Sequence, residues 1–307
     1  MPASGTRPLK VGLLLPETEG QMNGATARWS DLAAMTRLAE EVGFDSVWVT
    51  DHFIQRTETE TRGPWECWSL LAAMAAITER VEIGTLVICT GFRNPALLAK
   101  IADTVDEISG GRLILGIGAG WNEPEYRAFG YPFDHRVDRF EEALTIITGL
   151  LRNGHIDFEG TYYQARDCEL RPRGPRPSGP PIMIGTTGER MLRLTARHAD
   201  QWNVWYSHTG NRVEGILPYL SRVDAACAET GRESRTLKRT AAVLFEVGPH
   251  APSTMSVPPI TGTPEEAVAA LRAHAEAGVS HVQVWLEPNT LAGIEAFGGV
   301  LEALDRG

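Results

Sequence analysis

Apolar positions along this 307-residue chain switch repeatedly between short unbroken runs and longer stretches of helical period. Unbroken runs mark strands buried on both faces, whereas recurrence at three and four residues marks amphipathic helices. The runs fall at 11–15, 46–50, 81–88, 112–120, 181–185, 201–205, 240–247 and 281–285. Helical stretches follow them at 29–42, 66–78, from Asn94, around 135–152, at 188–199, near 210–229, from Thr263 and at 290–304. Punctuation supports the boundaries. Asn94-Pro95 supplies an N-cap and a first-turn proline, Ser109-Gly110-Gly111 a C-cap, and Thr263-Pro264-Glu265-Glu266 a capping box.

Eight strand–helix units in strict alternation predict a parallel sheet. A single α/β domain, a closed (β/α)8 TIM barrel spanning 1–307, suits that number and this length; an open doubly wound sheet is the alternative. Two segments interrupt the alternation. Residues 157–165 alternate about a Gly turn like a hairpin and run into a Pro-rich linker at 171–181, an insertion near 155–180. A second insertion at 249–262 has the character of a lid.

Composition narrows the partners. A net charge of −10 argues against nucleic acid or an anionic membrane surface, and no run approaches the ~18 apolar residues of a membrane span. The N-terminal residues lack the apolar core of a signal peptide, and Cys67, Cys89, Cys168 and Cys227 form no paired motif, so a reducing cytoplasm is expected. No metal-binding spacing is present, and no nucleophile elbow. A small-molecule substrate is the expected partner.

Barrel chemistry sits at the C-terminal ends of the strands. His52 ends the second strand beside Asp51, and histidine exchanges protons near neutral pH, which makes it the candidate acid–base group. The other seven histidines fall on helices, loop tips or a strand start, where a structural role is expected. Gly116–Gly120 is not a dinucleotide fingerprint; its small residues either admit a planar ligand or pack backbone closely. Gly185-Thr186-Thr187-Gly188 joins a strand to a helix start, where free N–H groups favour a phosphate, with Arg190 as a further donor. Trp121, Trp205 and Trp285 fall at strand ends and could wall a pocket for an aromatic ring system.

The strings FDSVWVTDHF (44–53) and RVEIGTLVICTGFRNPALLAKIADTVDEISGGRLILGIGAGWNEPEYRAFG (80–130) resemble the luciferase-like monooxygenase superfamily, and most of all its branch dependent on the deazaflavin coenzyme F420. The likeness continues through RFEEALTIITGLLRNGHIDFEGTYYQ and PPIMIGTTGERMLRLTARHADQWN, covering residues 10 to about 205. It implies a bacterial-luciferase-like barrel, commonly a homodimer, with Asp51 and His52 beside the cofactor ring as the catalytic pair. It also implies a bulge with a cis peptide at Leu86-Val87 against the ring. Gly118, Gly120, Trp121 and Asn122 would edge the ring pocket, and Gly185, Thr186, Thr187 and Gly188 would form the phosphate loop. The usual run there is richer in glycine than Thr186-Thr187 is. With F420 the expected reaction is hydride transfer to or from a small organic substrate. With reduced FMN it is oxygenation. A flavin-binding barrel without turnover, and a phosphosugar isomerase or lyase using Glu17 or Glu246, are further alternatives.

Overall fold

The structure is a computed structural model, and it describes residues 7–56, 60–250 and 257–306. Eight parallel strands carry the barrel: β1 (Lys10–Leu14), β2 (Ser46–Val49), β3 (Glu82–Thr85), β4 (Leu113–Gly118), β5 (Ile182–Gly185), β6 (Gln201–Val204), β7 (Lys238–Glu246) and β8 (Val279–Glu287). Each pairs with the next, and β8 pairs back onto β1 with Val11 opposite Val282. The decisive contact is between β4 and β5, where Leu115 stands opposite Ile182 across the long hairpin insertion. An open doubly wound sheet would leave two free edges; here the sheet closes.

Helices α1 (Trp29–Glu41), α2 (Cys67–Ile77), α3 (Pro95–Ile108), α4 (Arg136–Thr148), α5 (Glu189–His198), α6 (Val213–Glu229), α7 (Pro264–Glu276) and α8 (Leu291–Asp305) ring the barrel. The predicted caps form. Asn94 accepts from the N–H groups of Ala96 and Leu97, and Thr263 and Glu266 make the reciprocal capping box. Gly110 and Gly111 take positive φ at the end of α3. The largest core cluster lies between helices and strands, as the doubly buried strand pattern requires.

Inside the barrel the packing is uneven. Trp48 fills the lower half and is wholly buried. A Cβ on Gly12 or Gly84 would lie 2.2–2.8 Å from atoms of Trp48 or Ser46, so both positions are glycine for want of room. The Trp48 indole donates to Ser46 Oγ at 2.7 Å, and that hydroxyl lies 2.8 Å from His281 Nε2. Burial drives the His281 pKa down to about 3, so the ring is neutral and serves packing, the structural role expected of it. The plug leaves the upper half of the barrel to the site.

Two elements differ from the expectation, while the expected hairpin and the cis peptide are both present. The third apolar run is not one strand: β3 ends at Thr85, the Leu86-Val87 peptide is cis, and Ile88–Cys89 pairs separately with Ile117 and Gly118. The segment after β4 is not plain loop but contains a helix, Glu123–Phe129, ended by Gly130 at φ 77°. The hairpin insertion forms as strands His155–Glu159 and Gln164–Glu169. Of the loop at 249–262, residues 251–256 lie outside the described residues; Ile260 returns to pair beside Phe245 of β7.

Candidate active site

A cavity of about 1050 Å³ opens at the C-terminal end of the barrel. That exceeds the range of ~300–1,000 Å³ typical for one drug-sized ligand, so it has room for a cofactor and a substrate together. Of the predicted site residues, Asp51, His52, Leu86, Val87, Gly118, Gly120, Trp121 and Gly185 to Gly188 all line it. Asn122 does not. Its amide donates to the Ile54 carbonyl at 2.8 Å, so it ties the loop after β2 to the loop after β4.

His52 leaves β2 at the cavity wall, and its Nδ1 lies 2.9 Å from Glu125 Oε1. Glu125 belongs to the helix Glu123–Phe129 that the sequence reading missed, and its other oxygen accepts from the Phe53 N–H at 2.9 Å. A carboxylate 1% exposed is thus satisfied on both oxygens. Burial alone would lower the His52 pKa, but the hydrogen bond and charge of Glu125, with Asp51 and Glu17 behind it, raise it above the usual 6.5. Nδ1 is committed to Glu125, which leaves Nε2 for a ligand. The pair was findable in principle: Asn-Glu-Pro before Gly130 is a helix-start and helix-stop signature.

Asp51, expected beside the cofactor ring, lines the cavity and is also tied into the barrel frame. Both its oxygens meet the Arg93 guanidinium, at 2.7 and 2.9 Å, and one also accepts from the Cys89 N–H at 3.0 Å. Burial pushes its pKa up, and Arg93 and Cys89 oppose that push. Burial acts to lower the Arg93 pKa, but Asp51 outweighs it and the guanidinium stays charged. Asp51 braces the end of β2 against the segment that follows β3, with three of its four acceptor sites taken by Arg93 and Cys89.

The glycine-rich end of β4 divides into two functions. A Cβ at Gly116 would lie 2.0 Å from the Thr85 carbonyl, and one at Gly120 would lie 2.1 Å from the Tyr126 hydroxyl, so these two serve close packing. Gly118 faces the bulge: its Cβ would lie 3.0 Å from Val87 Cγ2, and a Cβ on Gly185 would lie 3.2 Å from Val87 Cγ1. Val87 therefore seats in a cradle of missing side chains and lines the cavity from there. Below it Cys89 Sγ and the Tyr126 hydroxyl are 2.8 Å apart, and burial pushes the thiol up to about 12, so this contact is neutral.

At the head of α5 the Thr186 hydroxyl accepts from the Gly188 N–H at 3.3 Å, and Gly188 provides no side-chain cap. First-turn N–H groups are thereby left for an anion. Arg190 is no part of this. Its guanidinium turns away to Asp138 and Glu141 on α4. Arg136 lines the cavity instead, donating to the Gly120 carbonyl at 2.7 Å. His208, expected to be structural, also lines the rim, whereas Glu17 and Glu246 are absent from the lining. One oxygen of Glu17 accepts from the N–H and hydroxyl of Thr50, and the other is buried without a hydrogen-bond partner. Among the described residues no cluster of His, Cys, Asp or Glu could hold a metal.

The sequence model of the luciferase-like monooxygenase family matches residues 9–251. The chain belongs to that family. Within it, the protein is similar to the F420-dependent glucose-6-phosphate dehydrogenase of Amycolatopsis mediterranei, 36% identical over 55% of this chain and 51% of that one. It is also similar to the pyrimidine monooxygenase RutA of Cronobacter sakazakii, 31% identical over 45% of this chain and 42% of that one. The match thus spans about half the length of these curated relatives. Among solved structures, an F420-dependent secondary alcohol dehydrogenase in complex with an F420-acetone adduct superposes with a TM-score of 0.81 at 19% identity, covering 96% of this chain and 99% of that one. The luciferase-like (β/α)8 barrel is therefore the fold. Among the relatives stand enzymes named as F420-dependent and an FMNH(2)-dependent dimethylsulfone monooxygenase of Pseudomonas putida, 32% identical over 47% of this chain and 39% of that one.

Proposed function

We propose that this protein transfers a hydride between coenzyme F420 and a small organic substrate, with His52 as the proton donor or acceptor. The His52–Glu125 pair at the cavity wall carries the reading. Reducing a carbonyl by hydride requires a proton at the oxygen, and a histidine kept proton-rich by a buried carboxylate is suited to deliver it.

The residues present fit such a cofactor. The Val87 cradle between Gly118 and Gly185 accepts a planar ring, and the head of α5 with Thr186 and Thr187 accepts the phosphate. When bound, reduced F420 supplies a hydride from its ring carbon C5. The substrate carbon gains that hydride as its C=O π bond breaks, and its oxygen takes the proton from His52 Nε2. Glu125 holds the imidazole in position and stabilises its charged form; Asp51 and Arg93 fix the strand end from which His52 projects. In the oxidation direction His52 takes the proton back.

The resemblance to an F420-dependent dehydrogenase supports this reading, and the resemblance to an FMNH(2)-dependent dimethylsulfone monooxygenase supports a second, FMN-dependent oxygenation. Titration of the purified protein with each cofactor separates them. Micromolar or tighter affinity for F420 with weaker affinity for FMN is expected, and the reverse order would overturn the deazaflavin reading. A flavin-binding barrel without turnover would bind the cofactor and be silent in every redox assay.

A further inference from the structure

Strands β3, β4 and β5 carry the cradle at Val87, Gly118 and Gly185. In the closed eight-stranded barrel the cavity wall away from the cradle comes from the ends of β8, β1 and β6. Its larger side chains are apolar. Trp285 at the end of β8 is 4% exposed, Leu14 at the end of β1 is 1% exposed, and both line the cavity. Tyr206 and Trp205 continue the surface past the end of β6, their rings 4.4 Å apart. The polar side chains set among them are neutral: the Asn203 amide, held by Thr240 and Gln283 at 2.8 Å each, with Thr18, Gln21 and Ser207.

Among the described residues, no lysine or arginine belongs to this wall. Arg62 lines the cavity but pairs with Glu60 at 3.0 Å. Arg136 is held by the Gly120 carbonyl and lies 4.2 Å from the Phe133 ring centroid, and His208 stands exposed at the rim. The three lysines of the chain, Lys10, Lys100 and Lys238, are all absent from the lining. A phosphorylated or carboxylated substrate seated against this wall would therefore give up hydration against indole and phenol rings, which is costly. A neutral ring or branched alkyl body would instead bury apolar surface on both sides.

We infer that the substrate is an uncharged molecule with an apolar body of aromatic-ring size, seated between the Val87 cradle and the wall of Trp285, Leu14, Trp205 and Tyr206, and that sugar phosphates are not substrates. The redox step rests on the function proposed above; the choice of substrate class rests on this wall. Isothermal titration with acetophenone and with glucose 6-phosphate tests it, on the cofactor-free protein and again with oxidised F420 present. Acetophenone should bind at least tenfold more tightly than glucose 6-phosphate. Trp285→Ala should weaken acetophenone binding tenfold or more, and Trp205→Ala, at a half-buried and more tolerant position, should weaken it severalfold. Glucose 6-phosphate binding as tightly as the ketone, no ketone binding, or ketone affinity within twofold of the parent in both variants would overturn the inference. A ketone that binds as expected but is never reduced with F420 would count against the redox reading and leave the substrate class standing.

Discussion

His52 and Glu125 are 73 positions apart in the chain, and their contact gives two predictions at the level of single side chains. His52→Ala should keep cofactor affinity within severalfold of the parent while cutting turnover about 100- to 10,000-fold, the usual worth of positioned proton transfer. Unchanged turnover would remove His52 from the mechanism. The second concerns pH. Glu125 favours the imidazolium, so the His52 pKa lies above its ordinary value, and carbonyl reduction, which needs the protonated ring, should hold at low pH and fall as pH rises through that pKa. Glu125→Gln removes the favourable charge, lowers the pKa, and should move this fall to lower pH. Alcohol oxidation, which needs the neutral ring, should rise with pH and shift the same way. A pH–rate profile that the substitution leaves in place would show that Glu125 does not tune His52.

Elements set where these side chains stand, and here the brace between Asp51 and Arg93 matters most. It links the end of β2 to the turn before α3, with the aspartate wholly buried. Arg93→Met should cost about 3–5 kcal/mol in urea unfolding, because it strands a buried carboxylate without its partner. A loss under 1 kcal/mol would mean that the brace is dispensable. Strands, helix caps and the order of units were legible in the chain because they depend on local period and local capping. Asp51, His52 and the glycines were legible as candidates because strand ends are where barrel chemistry gathers. What Asp51 does was not, since its partner Arg93 lies 42 residues on. The helix carrying Glu125 was masked by its position: a short apolar-poor segment after a glycine-rich strand end reads as loop. Asn122 and Arg190 failed as site residues for a related reason, since each found a nearer partner, the Ile54 carbonyl and the α4 carboxylates.

For the molecule as a whole, closure of β4 onto β5 gathers the ends of seven of the eight strands around one cavity, and the buried Trp48 fills the barrel beneath it. The chain's charge of −10 surrounds it. An anionic cofactor approaching from solvent should meet net repulsion, screened as the Debye length falls from ~30 Å at 0.01 M to ~8 Å at 0.15 M salt. Its association rate measured by stopped flow should therefore rise over that range. A rate that falls with salt would show that Arg62 and Arg136 near the mouth outweigh the global field.

The cradle about Val87 is defined by carbon atoms that are not there. Gly118 and Gly185 have no side chain with which to do chemistry, yet a single added methyl at either comes within 3.0–3.2 Å of the valine. In a saturation library selected for turnover, these two positions should tolerate substitution as poorly as His52 does, while thermal stability separates them from it only weakly. Intolerance to mutation in this barrel thus reports occupied volume as faithfully as it reports reactivity, and a ranking of positions by sensitivity alone would promote two glycines to the company of the proton donor.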